Sequence, residues 1–297
     1  MNARALTLPG KRARSSSGPL GLAIILTFSL AVAVHHYLYR DDRTREFLIS
    51  QMLYLPSGKY LRPVSFGYQT LLADYIYLWS IQYYGDPGFH PRMEYLKHTY
   101  DLITELDPHF LDAYQTGALF MFYEGRNPSA GLWLLNKGLE RNPNEWILPT
   151  DAGFYCIMNL RDYKLAASYF EKASKIPGAP SLVKRMQAGA YFRMGDMRVA
   201  HQLWQEVYDT AEKASIKQTA FQHVHDLKIM IDLEDIRKAI ALFHSKFQRY
   251  PLNLNQLVSA GILRTIPRDP EENSYVYDPQ TGNVDCGSQL KVYKRFQ

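Results

Sequence analysis

The chain has 297 residues, 46% of them hydrophobic and 21% charged, which is enough apolar content for a core and excludes a disordered chain. Its net charge is +5, but Arg4, Lys11, Arg12 and Arg14 supply four of those charges before the first apolar run. The basic excess therefore belongs to a tail, and no later stripe of Lys and Arg interleaved with aromatics marks a nucleic-acid face.

Residues 1–17 read as a basic tail. Leu20 to Val34 is "LGLAIILTFSLAVAV", free of charge, and Tyr37, Leu38 and Tyr39 continue it to Arg40. That run is just long enough for a helix that crosses a bilayer, which takes ~20 residues. The span is expected over 18–39, with His35, His36, Tyr37 and Tyr39 at the interface, where amphipathic rings are favoured. The basic tail precedes it, whereas Arg40, Arg43 and Arg45 after it are diluted by Asp41, Asp42 and Glu46. This charge bias places the N-terminus in the cytoplasm and the rest of the chain in the periplasm of a bacterial cell, anchored in the inner membrane as a single-pass protein. A signal peptide cleaved after Ala33 is the alternative, since Ala31-Val32-Ala33 is a small-x-small site. No Cys directly follows the span, which excludes a lipoprotein.

Residues 40–64 are expected as a charged linker with a short helix that Pro56-Ser57-Gly58 ends. Ser65 to Asp86 reads as an aromatic, apolar helix with Asp74 in its middle, where a charge needs a partner or water. Tyr84-Gly85-Asp86 closes it.

From Leu96 to Val207 the sequence repeats itself. Leu96, Gly131, Ala166 and Ala200 form one row; Tyr100, Leu135, Phe170 and Trp204 a second; Ile103, Gly138, Ala173 and Val207 a third, with steps of 35, 35 and 34 in each. Within a unit the three positions are four and then three apart, which places them on one helical face. Pro108, Pro143 and Pro177 follow the first three units. Small residues let two helices approach, the bulky one fills the groove between them, and proline stops the helix. Gly117, Gly153 and Gly189 precede their partner small residues by 14, 13 and 11 positions, so the turns inside the repeats vary in length.

This pattern resembles the tetratricopeptide repeat family. "YFRMGDMRVAHQLWQEV" (Tyr191 to Val207), with Gly195-Asp196 as its tight turn, carries the resemblance most clearly, and "LRDYKLAASYFEKASKIP" (Leu160 to Pro177) nearly as well. It implies an α-solenoid over 65–212, made of three good units and a degenerate one whose first helix spans Phe66 to Tyr84. The alternative is an ordinary helical bundle with accidental spacing.

In 213–297, a helix over Ser215 to Ile231 and a long amphipathic one over Leu233 to Phe247 lead into Pro-, Gly- and Asn-punctuated sequence. "SYVYD" and "NVDC" flank Pro279-Gln280-Thr281-Gly282, a hairpin signal, and "LKVYKRF" is a candidate further strand. The order from Ile236 to about Val284 — a long helix, "YP", "LNQLVSAGIL", "IPRDP", an aromatic strand, then "TGNV" — resembles the soluble module of the type II secretion major pseudopilins. The resemblance implies a small α+β module in which a helix packs on an antiparallel sheet. The only membrane span lies far upstream of this helix, and the family's calcium loop is missing, with only Asp269, Asp278 and Asp285 nearby, so neither polymerisation nor calcium carries over.

Chemistry is sparse. The sequence has no Gly-rich phosphate loop, no G-x-S-x-G and no H-E-x-x-H. His223 and His225 diverge by about 200° on a helix, a poor chelate, and read as surface histidines. Cys156 and Cys286 lie in different modules, and a bridge between them is permitted in an oxidising compartment without being expected. No cofactor and no metal site is expected, and the chain reads as non-enzymatic. What remains is surface: the first helices of the repeats line a groove suited to a peptide or partner segment, with Thr116, Phe120, Tyr123, Asp151, Tyr155, Asn159, Arg185 and Arg193 facing it. The fold expected is mainly α, with one span, a solenoid and a small α+β tail. The function expected is an envelope scaffold that docks protein partners, and the two resemblances imply pilus, secretion or exporter machinery. A sensor of peptides or small ligands is the alternative.

Overall fold

A computed structural model describes residues 17–38, 55–85 and 95–293. Over these residues the protein is mainly helical, with one small two-stranded antiparallel sheet near its C-terminus. It divides after Pro56 into two units.

The first unit contains α1 (Ser17–Leu38). Its described side chains Ile25, Leu26, Phe28, Leu30, Val32 and Val34 are all exposed within that unit. Among the residues whose side chains are described, no helix is long and apolar enough to cross a membrane; residues 17–24, 35 and 38 of α1 stand outside that set. The basic tail before residue 17, most of the expected linker and the helix expected ahead of Pro56 lie outside the described residues.

The second unit begins with the short helix α2 (Gly58–Val64), so Pro56-Ser57-Gly58 opens a helix here. Four helix pairs follow: α3 (Gln69–Gly85) with α4 (Leu96–Leu106), α5 (Leu111–Tyr123) with α6 (Pro128–Arg141), α7 (Ile147–Tyr155) with α8 (Tyr163–Ser174), and α9 (Ser181–Arg193) with α10 (Met197–Thr210). Each helix packs on the next in the chain, and α5 touches α7 as α4 touches α6, so the pairs stack side by side.

The three rows of the sequence pattern explain this stacking. Tyr100, Phe170, Ala166, Ala200, Ile103 and Ala173 are fully buried, and Leu96, Leu135, Trp204 and Val207 nearly so. The glycines are the matching hollows. A Cβ on Gly117 would lie 2.5 Å from the Tyr100 ring, one on Gly153 2.6 Å from Phe170, one on Gly131 2.5 Å from Phe122, and one on Gly138 2.8 Å from Tyr114. Each bulky ring thus sits where the facing helix has no side chain, and burying such a ring contributes on the order of 2–3 kcal/mol.

The turns inside the pairs repeat as well. Arg126, Arg161 and Gly195 all adopt left-handed backbone, with φ of 46°, 54° and 84°. In each case the next residue caps the following helix: Asn127, Asp162 and Asp196 accept from the backbone N–H of Ala130, Leu165 and Val199. An oxygen-bearing cap at that position satisfies an otherwise orphaned donor. In the third pair, α7 runs on through a π turn (Cys156–Leu160) before this device.

Asp74, expected to need a partner, is exposed on α3. Solvent therefore reaches its charge, and among the described residues no network is needed to hold it.

One helix, α11 (Ala214–Phe247), replaces the two expected after the repeats. No Gly or Pro interrupts those 34 residues, about 50 Å of helix. It ends at Gln248 in left-handed backbone with φ of 55°. The short helix α12 (Asn255–Ser259) and the strands β1 (Val276–Tyr277) and β2 (Val284–Asp285) follow, paired in the register Val276 to Asp285 and Tyr277 to Val284. A single core runs from Ala188, Ala200, Trp204 and Val207 through Leu227, Ile236, Ile240 and Phe243 to Leu257, Tyr275, Val284 and Tyr293. The last helix pair and the C-terminal module are therefore packed as one body.

Three buried carboxylates tie that module down. Asp226 accepts backbone N–H groups from Lys291 (2.8 Å), Val292 (2.5 Å) and Tyr293 (3.1 Å) and a bond from the His225 ring at 3.0 Å. Asp232 accepts from the Tyr275 hydroxyl at 2.8 Å and from the Lys228 ammonium. Asp269 accepts from the Ser288 hydroxyl at 2.6 Å and from the backbone of Asn273 and Glu271. The clasp by Asp226 explains why residues 290–293 are not the further strand expected there: the N–H groups of residues 291–293 turn to a carboxylate on α11 and not to a neighbouring strand.

Candidate functional site

The C-terminal edge of the stacked pairs opens into a cleft of about 650 Å³. Tyr163 of α8, Gly189, Phe192 and Arg193 of α9, Met197 and Trp204 of α10, and His223 and Met230 of α11 form its walls, with Tyr293 from the clasped segment. The size is that of small-molecule and peptide-anchor pockets, ~300–1,000 Å³, and the lining is largely apolar and aromatic, as such pockets are.

Its rings are locked to one another. His223 lies flat on Trp204, ring centroids 3.9 Å apart and planes within 7°. Its Nδ1 is hydrogen-bonded to the Tyr293 hydroxyl at 2.8 Å, and Tyr293 in turn stacks on Phe192 at 4.3 Å. Burial pushes the His223 pKa down to about 4, against the weaker opposing pull of Asp226, so the ring is neutral at pH 7. Burial also raises the Tyr293 pKa. The two residues earlier expected at the surface as "HVH" are thus packed: His225 is buried beside Asp226, and His223 is a wall of the cleft. The group that holds His223 lies 70 residues away, at Tyr293, whereas His225 bonds its own chain neighbour Asp226.

At the mouth the exposed Arg193 holds its guanidinium over the Tyr163 ring, 5.6 Å from the centroid. Gly189 adds no wall, for no heavy atom lies within 4 Å of where its Cβ would be. The buried Trp204 Nε1 has no hydrogen-bond partner in the structure. An aromatic floor, two methionines and one cation at the rim can hold an apolar side chain and anchor a carboxylate beside it.

The eight expected groove residues divide between packing and surface. Thr116 bonds the Tyr77 hydroxyl at 3.0 Å, joining α5 to α3, and Asp151 accepts from Gln115 at 2.6 Å, joining α7 to α5. Burial raises the Asp151 pKa against the Gln115 bond. Tyr155 is buried, stacks on Phe122 at 4.3 Å, and has its pKa pushed by burial up to about 12. Phe120 packs against Tyr84 and Tyr100. These four are committed to contacts between neighbouring pairs. Tyr123 and Asn159 are exposed, and Arg185 is half-buried with its Nε unpartnered. Only Arg193 lines the cleft. Reading the sequence missed Phe192, Trp204, His223 and Tyr293 as one site. Phe192 and Trp204 stand in the clearest repeat unit and could have been found there, but nothing local signals Tyr293.

Cys156 and Cys286 are both free thiols. Burial pushes the Cys156 pKa up to about 12 and also raises that of Cys286, so neither is an activated nucleophile. Among the described residues no group of three His, Cys, Asp or Glu side chains could hold a metal ion. No protein-family model matches the chain, and no curated protein matches it.

Proposed function

We propose that this chain is a non-enzymatic scaffold of the tetratricopeptide-repeat type, anchored in the inner membrane by α1, that docks an extended segment of a protein partner in the cleft between α8, α9, α10, α11 and Tyr293. The observation that carries the reading is the cleft itself: rigid stacked rings, open space beside Gly189, and one exposed cation at the rim. Rings fixed in advance lose little entropy when they bind, which favours recognition of an apolar or aromatic anchor. Arg193 selects an anchor with a carboxylate nearby. Residues 1–17 lie in the cytoplasm and the second unit in the periplasm. The C-terminal module is pseudopilin-like, and the family resemblances point to pilus, secretion or exporter subunits as partners.

The test places a photo-crosslinking amino acid at Gly189 of the full-length protein in its native membrane and identifies the adducts by mass spectrometry. Discrete protein adducts that disappear when Arg193→Glu is added support the reading. Without adducts, and with small ligands instead raising the melting temperature of the isolated protein, the sensor of peptides or small ligands replaces it.

A further inference from the structure

Away from that cleft, α2, α4 and α6 enclose a second cavity of about 310 Å³, lined by Lys59, Arg62, Thr104, Glu105, Pro108, Lys137 and Arg141. Four of those seven are cations and one is an acid. Lys137 is already satisfied: its ammonium meets the Asp101 carboxylate at 2.5 Å, the Asp101 carbonyl at 3.1 Å and the Thr104 hydroxyl at 2.8 Å, which uses all three of its donors. Lys59, Arg62 and Arg141 are exposed and have no ion pair among the described residues.

The acid in the lining has a structural task. Glu105 Oε2 accepts the backbone N–H of Gly58 at 2.6 Å, which pins the start of α2 against α4. Gly58 is required for that approach, since a Cβ there would lie 2.6 Å from the Glu105 Cβ. The same contact fixes the helix that carries Lys59 and Arg62, so two cations from α2 face one from the end of α6 across a concave surface. Three like charges held around one concavity repel one another, weakly because they are exposed, and an anion between them turns that repulsion into attraction.

We propose that this cavity binds a phosphate group, held by the Arg62 and Arg141 guanidinium forks with Lys59 as a third positive charge. Guanidinium matches the tetrahedral oxygens of phosphate two bonds at a time, which a lone ammonium cannot do. The phosphate comes either from a soluble phosphorylated compound or from the head group of an anionic lipid. The inference does not depend on the partner-docking reading, because the two cavities share no residue.

The experiment uses the full-length protein in a non-ionic detergent. Inorganic phosphate is titrated by calorimetry, and retention of phosphatidylglycerol against phosphatidylcholine is measured by native mass spectrometry. The double variant Arg62→Gln/Arg141→Gln is compared with Lys246→Gln, an exposed lysine at the far end of α11. Saturable phosphate binding that weakens about tenfold or more in the double variant alone supports the site with a soluble ligand. Preferential retention of phosphatidylglycerol, lost in the double variant alone, supports it with a lipid head group. Binding of neither probe, or equal binding in wild type and double variant, overturns the proposal.

Discussion

Replacing Asp226 by Asn tests the clasp with almost no change of shape. The aspartate is fully buried on α11 and accepts three backbone N–H groups from Lys291, Val292 and Tyr293. Burial alone would raise its pKa, but the bonds from Lys291 and Val292, with those from His225 and Tyr293, outweigh it and hold the group ionised. A hydrogen bond to a charged acceptor is worth about 2 kcal/mol and to a neutral one about 1 kcal/mol. Asparagine keeps one acceptor oxygen, so it can retain the two bonds made by Oδ2 in neutral form. It turns an amide N–H toward the Lys291 N–H, whose bond goes to Oδ1. The clasp should lose about 4 kcal/mol, and the exchange of those three amides should accelerate about a thousandfold. Hydrogen exchange read by NMR or mass spectrometry measures this directly. Unchanged protection of residues 291–293 in Asp226→Asn would refute the argument that the carboxylate, and not apolar packing of Leu290 and Tyr293, holds the segment. A folded-state pKa below the unfolded one also fixes the sign with pH: the contribution is complete above the unfolded value near 4 and fades as pH falls through the lower folded value.

Three further outcomes follow from the packing. Gly153→Ala forces a Cβ to 2.6 Å from Phe170 and should cost about 1–3 kcal/mol in urea unfolding, whereas Gly189→Ala meets nothing and should be neutral or stabilise by up to about 1 kcal/mol. For His223 the depressed folded pKa means that the unfolded chain takes the proton first as pH falls, so stability should decline between about pH 6.5 and about 4 and then level off. His223→Phe should flatten that stretch of the stability profile while breaking the bond to Tyr293. Cys156, buried and with its pKa pushed up to about 12, should resist alkylation by iodoacetamide at pH 8 in the folded protein and react once it is unfolded.

The helix pairs were legible because their signal is local and repeated. Tyr100, Phe170 and Trp204 recur at a fixed period and all turn inward, and Gly195-Asp196 marks a turn that Arg126-Asn127 and Arg161-Asp162 copy with less obvious residues. The hairpin around Thr281-Gly282 was legible for the same reason. The groove was read less well. Sequence places Thr116, Asp151 and Tyr155 on one face of their helices, but cannot tell a face that meets solvent from one that meets the neighbouring pair. The unbroken α11 could have been read from the lack of Gly and Pro between Ala214 and Phe247. The clasp could not: Asp226 and its acceptor bonds to residues 291–293 join positions 65 to 67 apart, with no periodicity to announce them.

That separation also orders events during synthesis. Each helix pair is complete soon after its second helix is made, because Gly153 and Phe170, or Gly131 and Phe122, are less than one repeat apart. The body built on α11 must wait. When Asp226 is synthesised, the amides that will donate to its carboxylate have not been translated, and the apolar flank of α10 and α11 stays uncovered until Tyr275, Val284 and Tyr293 arrive. A growing chain whose early units fold as they emerge carries this exposed flank for the longest time. A chain lacking residues 251–297 would keep that flank uncovered for good and should self-associate, which light scattering measures.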